Sequence, residues 1–443
     1  MGAYGRSRYK RDYGFSVILL YLCIVTTVGV FQCTFSVIFP LQQEDDYGLL
    51  EYCHVRKKIV RPILVQRDTQ FTTIKPTLLL PTQKVQPKPS KKLHVLPMRQ
   101  NLYKYTVSQV EKVPVIRKFI GNEEQDELEE PIPSFTGNAS FSLVFVGTPN
   151  RLMFLDEHLW RWSSNLVLVL FCKSDEQEFA LRYMGERVLP DRLTLILYIV
   201  SKFAKIFPIN LLRNVGIRNV RTTHYVVMDM DMWPIQNLHS EMTKIPLKVL
   251  QDRKSAIIIP LLFFDLQQIL PNCTSLISCI TEDLKYFPYT VEELNTCLLS
   301  GMCRYNRGKL KTHSYTNADW FRYAVNRSAP PVLKVNCMLN AHQEPYYFLQ
   351  RHQDTPLFDP LFVNYGYNKM EHMDEIRAKD FQFYLVTHSF AMDMAHQKSE
   401  MGIRFDNKKS ISMESIYARF KSKLEKEFGP QKMKGVCLDF QNK

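Results

Sequence analysis

Residues 138–437 predict an α/β domain: a mixed, mostly parallel sheet flanked by helices. Two observations carry this reading. Apolar runs of strand length alternate with segments of helical spacing from about residue 140 to 234, and one of those runs, His224 to Pro234 (HYVVMDMDMWP), feeds straight into two aspartates one residue apart.

In order along the chain, SFSLVFVG (140–147) reads as a strand, then a turn and a helix beginning near Asn150 with Arg151 at its start. NLVLVLF (165–171) is short enough for a buried strand, and residues 175–188 and 193–200 continue as helix and strand. Pro208 suits a first helical turn, and Leu212, Val215 and Asn219 keep helical spacing up to Thr222. HYVVM is the strand that follows. In such folds the ligand crevice lies beyond the carboxyl ends of the strands, which is where Asp229 and Asp231 fall. Their hard oxygens suit a divalent cation whose coordination a substrate diphosphate completes. A solvated turn is the bland alternative, and a β-type run leading directly into the two carboxylates argues against it.

Ahead of this domain, residues 15–39 are uncharged and mostly apolar, long enough to span a bilayer as a helix, and no small-residue cleavage site follows. Arg6, Arg8, Lys10 and Arg11 precede the run, which predicts a cytoplasmic tail (1–14), an uncleaved signal anchor (15–39) and a type II topology with the remainder luminal. Residues 40–137 read as a basic, proline-rich stem: residues 54–118 hold fifteen Lys or Arg against two Asp or Glu, matching the whole chain's net charge of +13, together with seven prolines. A basic stretch of this kind in a lumen argues for a spacer rather than for nucleic-acid binding. An acidic run, 123–130, closes the stem, and residues 438–443 form a short tail.

Eight cysteines follow the span; in an oxidising compartment they read as disulfides, with Cys273/Cys279 and Cys297/Cys303 as plausible short loops. No CxxC motif supports a zinc site. Sequons at Asn138, Asn272 and Asn326 agree with a luminal domain and a glycoprotein.

Several ordered blocks, among them NRLMFLDEHLWRWSSNLVLVLF, FPINLLRNVGIRNVRTTHYVVMDMDMWP, HSYTNADWFR, HQEPYYF and FDPLFVNYGYNKMEHMDEIRAKDFQFYLV, resemble glycosyltransferase family 49 over about residues 140–434. The resemblance implies a GT-A type nucleotide-sugar transferase fold, Mn2+ as cofactor, a UDP-sugar donor carrying glucuronic acid, and inversion at the anomeric carbon. Asp229 and Asp231 match the family's DxD. Arg151, Arg213 and Asn214 match its pattern around the nucleotide end, and the arginines suit phosphate. The family's F-x-x-His segment, which supplies a third metal ligand, reads here as SFAMDMAH, so Asp393 stands at the histidine's position and His396 comes three residues later. Either could ligate Mn2+. Glu344 in HQEPYYF and Asp359 in FDPLF are the candidate catalytic bases, although each could instead cap a turn or helix. Tyr346 and Tyr347 are candidate sugar-stacking rings. Trp320, Tyr365, Asn368 and Lys369 are candidate donor or acceptor contacts, Lys369 through a uronate or phosphate.

These expectations add up to a Golgi-membrane transferase acting on a glycan acceptor of a glycoprotein, with homodimerisation open and no nucleic-acid partner. The departure at Asp393 keeps a second reading in play: a catalytically silent relative that binds glycan or partners an active transferase. A singly anchored surface receptor is a third.

Overall fold

The computed structural model describes residues 106–107, 116–120 and 130–432, apart from 188, 307–311, 339–341, 400–401, 404–406, 408–411 and 431. The expected tail, the span at 15–39, most of the stem and residues 438–443 lie outside them. Among the described residues no helix is long and apolar enough to cross a membrane.

Two short strands, Thr106–Val107 (β1) and Ile116–Ile120 (β2), precede the expected alternation. It then runs β3 (Phe141–Gly147), a 3-10 turn (Pro149–Phe154) leading into α1 (Leu155–Arg161), β4 (Asn165–Lys173), α2 (Gln177–Gly185), β5 (Leu193–Val200), α3 (Ile209–Arg218) and β6 (His224–Asp229). Strands β2, β5, β4, β3 and β6 lie side by side in that order, all parallel. β3 to β5 are apolar almost throughout because both faces of the sheet are covered.

β2 falls within the stretch that the sequence assigned to the stem. Its backbone pairs with β5 from Ile116↔Leu195 to Ile120↔Ile199, so residues counted into a spacer extending to 137 instead widen the sheet. Ile116, Phe119 and Ile120 are β-formers, and the basic residues among them masked a strand in a reading based on charge.

The later half supplies strands that the alternation did not reveal: β7 (Met232–Pro234), β8 (Ser255–Ile259), β9 (Leu261–Phe264), β10 (Cys303–Arg304), β11 (Val332–Val335), β12 (Tyr346–Gln350), β13 (Gln382–Val386) and β14 (Ala391–Asp393). β12 pairs antiparallel with β6 and β8, which extends the sheet to ten strands. β10, β9, β14 and β7 form a separate four-stranded sheet. Arg351, just past β12, donates to four backbone carbonyls, of Glu130, Pro131, Arg218 and Val220, and so ties the domain's entry to the end of α3. The expected disulfides Cys273–Cys279 and Cys297–Cys303 both form.

Helix α3 has two working faces. Leu212, Val215 and Gly216 turn toward β3 and β4, and a Cβ at Gly216 would come within 2.5 Å of Val144 Cγ1. Gly216→Ala is therefore expected to destabilise the domain by about 1–3 kcal/mol, the usual cost of overpacking a filled core. A denaturant titration reads it; an unchanged midpoint would show that the helix shifts freely.

Candidate active site

The sheet places the site. Strands β4 and β5 stack to one side of β3 and β6 pairs on the other, so the chain's direction of winding reverses between β3 and β6. The carboxyl ends of those two strands frame the crevice that such a reversal opens. Gly147 ends β3, Arg151 follows in the 3-10 turn, and Asp229 ends β6. Asp231 lies in the two-residue turn that carries the chain from the large sheet into β7 of the small one. The two carboxylate side chains are 38% and 24% exposed, accessible to a ligand.

Asp229 is the hub. Its Oδ2 accepts from Tyr346 Oη at 2.7 Å and from Lys369 Nζ at 3.1 Å, and its Oδ1 lies 3.4 Å from Arg213 Nη2. Burial pushes this carboxyl's pKa up, but Lys369, Arg213 and the tyrosine hydroxyl outweigh it and hold it below the usual carboxylate range. Burial also raises Asp231, with Asp229 adding to it; the hydrogen bond and charge of His396 prevail, so Asp231 too ends below its ordinary value. His396 Nε2 donates to Asp231 Oδ2 at 2.8 Å while its Nδ1 faces the Gln397 carbonyl at 2.6 Å.

Of the two residues the sequence offered, Asp393 and His396, it is His396 that makes this contact. Asp393 sits in β14, in register with Met232 of β7, and is 5% exposed. Past it, Met394 N donates to Asp231 O at 2.9 Å, and the chain delivers His396 to the DxD.

Lys369 links the hub to a candidate base. Its ammonium reaches Tyr346 Oη at 2.9 Å and Glu344 Oε2 at 3.4 Å. Burial lowers its pKa, but Asp229, Tyr346 and Glu344 together carry it well above the ordinary lysine value, so it stays charged. Arg151 stands opposite. Burial lowers its guanidinium against the pull of Asp231 and Asp229, and its buried Nη1 has no hydrogen-bond partner among the described residues. A buried, unsatisfied cationic donor beside two carboxylates is suited to an incoming phosphate.

Other expected residues have different tasks. Asn214, buried, donates to Phe358 O at 2.7 Å and accepts from Phe358 N at 2.9 Å, so its amide is tied to that backbone. Asp359 Oδ1 accepts from Leu361 N at 2.9 Å, the turn cap that the sequence offered as its other role. Trp320 is core, its indole donating to Val386 O. Tyr347 is buried with its hydroxyl on His372 Nδ1, and Tyr346 presents its hydroxyl to Asp229, so neither ring offers a stacking face. Asn368 accepts from Arg213 through both its carbonyls. Tyr365 remains half exposed.

Sequence reasoning missed Asn210 and Glu371. Asn210, Arg213 and Asn214 make a buried polar stripe at i, i+3 and i+4 of α3, and Asn210 Nδ2 donates to Glu371 Oε1 at 2.8 Å. Together they clamp the 358–371 segment that brings Lys369 to Asp229. Three polar residues on one face of an otherwise apolar helix were the available signal.

A family model described as "Glycosyl-transferase for dystroglycan" matches residues 197–429. The chain belongs to that family. Relatives named "Xylosyl- and glucuronyltransferase LARGE1" are 27% identical over 303 residues in Mus musculus and over 299 in Homo sapiens, covering 66% and 65% of this chain. The mouse relative of "LARGE2" is 24% identical over 301 residues. This chain spans only 36% of the length of the two LARGE1 relatives. Among solved structures, GalNAc-T7 with UDP, GalNAc and Mn2+ is 10% identical at TM-score 0.38 over 66% of this chain and 51% of its own. TarS 1-349 of S. aureus with UDP-GlcNAc is 9% identical at TM-score 0.38 over 65% and 66%. At that level the likeness bears no weight, and the family membership stands on the sequence match.

Proposed function

We propose that this family member is an inverting glycosyltransferase of GT-A type, which moves a sugar, glucuronic acid in the first instance, from a UDP-sugar to a hydroxyl of a glycan acceptor. The observation that carries the reading is the DxD at the β3/β6 reversal, accessible and ringed by Arg151, Lys369, Arg213 and His396. Glucuronic acid is the choice because relatives bear the name "Xylosyl- and glucuronyltransferase".

The donor set suits Mn2+. Two carboxylates with one imidazole are hard-to-intermediate ligands, and nucleotide sites need only one or two protein carboxylates because the substrate's phosphates complete the coordination. Asp229, Asp231 and His396 Nε2 would hold the ion, which when bound neutralises charge on the departing diphosphate. Among the described residues no three His, Cys, Asp or Glu are placed together to hold a metal, and His396 Nε2 is on Asp231, so the imidazole would have to turn from that carboxylate to join the two acids as a ligand. Arg151 takes a phosphate oxygen at its unsatisfied Nη1. Lys369 pairs with a phosphate or with the donor's uronate. Glu344, its side chain 26% exposed and held by Lys369, accepts the acceptor hydroxyl's proton as that oxygen attacks the anomeric carbon and the bond to UDP breaks.

The disulfides support an oxidising lumen, and the apolar run at 15–39 supports a type II Golgi anchor. The silent-relative reading rests on Asp393 at the family histidine's position, and His396 on Asp231 supports the active reading over it. The test is the full chain in detergent with UDP-glucuronic acid, UDP-xylose and other UDP-sugars, plus glucuronate- and xylose-terminated acceptors. UDP release that appears with Mn2+ and disappears with a chelator is the expected result; no release from any donor sinks the proposal.

A further inference from the structure

The residue between the two aspartates is gripped from three sides. The Met230 carbonyl lies in the turn between β6 and β7, outside either sheet's ladder, and a buried carbonyl must find donors elsewhere. It accepts from His158 Nε2 at 2.7 Å and from Trp233 Nε1 at 3.1 Å. Both donors are 0% exposed. The His158 ring is set by its tilted contact with Phe145, with centroids 4.0 Å apart, and by its edge contact with Trp233. The Met230 side chain lies over the end of β3, where a Cβ at Gly147 would come within 2.3 Å of its Sδ. No rotation of this turn is possible without breaking one of the three contacts, and both flanking carboxylates would move with it.

We propose that His158 and Trp233 are positioning residues that aim Asp229 and Asp231 at one shared ligand point by pinning the carbonyl between them. Gly147 is the matching gap that seats the Met230 side chain. His158 sits on α1, directly after the turn that holds Arg151, so the same short segment places the phosphate cation and steadies the paired acids. Partners that orient metal ligands typically account for about 10–100-fold in metal affinity, and that is the effect expected here. The inference rests on the reading of the DxD as a cation site.

The test uses the full-length chain, Mn2+ titrated in the presence of UDP, and thermal melting of each variant without metal. His158→Leu and Trp233→Phe should each weaken Mn2+ binding by about 10–100-fold, and His158→Gln, which keeps an N–H donor, should recover part of it. Gly147→Ala should weaken binding as well by pushing Met230 out of its seat. Should His158→Leu fail to fold, Trp233→Phe decides, since it keeps the ring and removes only the donor. Folded His158→Leu or Trp233→Phe with undiminished Mn2+ affinity overturns the proposal, as does an equal loss in His158→Gln. A wild-type chain that binds no Mn2+ overturns it together with the cation-site reading, and only that outcome touches both.

Discussion

Asp229→Asn is expected to lower turnover about a thousandfold while the protein still folds. Asp229 is the carboxylate on which Tyr346, Lys369 and Arg213 converge, and in the proposed reaction it is also a ligand of the cation that offsets charge on leaving UDP. Losing several kcal/mol of such stabilisation removes about three powers of ten in rate, at about 1.4 kcal/mol for each. Asparagine keeps one oxygen, which can still accept from Lys369 and Tyr346, while its amide nitrogen replaces the oxygen that faces Arg213, and Arg213 still has Asn210 and Asn368. Turnover measured beside a thermal melt separates the two effects. Activity within tenfold of wild type would mean that Asp229 is a structural anchor for the two cations and no more.

The second large effect is a loss of stability on mild acidification. His158 and His313 have pKa values pushed down to about 3, and His224 and His372 to about 4, in each case chiefly by burial. The imidazoles are committed as neutral groups: His372 accepts from Tyr347 and meets Pro356 O, His313 meets Tyr315 Oη, and His224 bridges Thr223 and Leu250 O. Unfolded histidine titrates near 6.5, so below that pH the unfolded chain takes up protons that the folded chain refuses, and stability falls as pH falls toward 4. Glu371 works the other way. Burial raises its pKa well above the ordinary value, so it holds a proton that the unfolded chain gives up above about 4.5, and acidification favours the folded state at this one site. Four histidines outnumber that one glutamate, so the net proton uptake on unfolding grows from near zero at pH 7 to about three by pH 5.5, and about 3 kcal/mol is lost over that range. Below pH 4 the depressed carboxyls of Asp229 and Asp231 add to the loss as they protonate. Denaturant titrations at pH 7.5, 6.5 and 5.5 read the slope, and His313→Gln should lower it by one proton. A flat profile across that range would show that the histidines gain solvent in the folded state.

How much of the site could be read in advance depended on where each partner sits along the chain. Asp229 and Asp231 were legible because strand and turn are local, spelled by five apolar or aromatic residues and the two acids after them. Arg151 was legible because the turn after β3 must return to the same crevice. The backbone contacts of Asn214 and Asp359 were not legible for a common reason: each lies in a matching block near the site, and whether a polar side chain faces a ligand or caps a neighbouring backbone depends on which loop packs against it. The later strands from β8 on escaped because they are short and pair across long gaps, and β2 because its basic residues hid it.

The sequence by itself determined the parallel half of the sheet, the position of the paired acids at a strand's carboxyl end and the family. All of these are written in runs, spacings and ordered blocks within a few tens of residues, where periodicity and burial act directly. Only the tertiary structure decided that His396 meets Asp231 across 165 residues, that Lys369 meets Asp229 across 140, and that His158 meets Met230 across 72. Those pairings follow from the order of strands in two sheets and the way their ends converge, which hydrophobic pattern constrains only in sum.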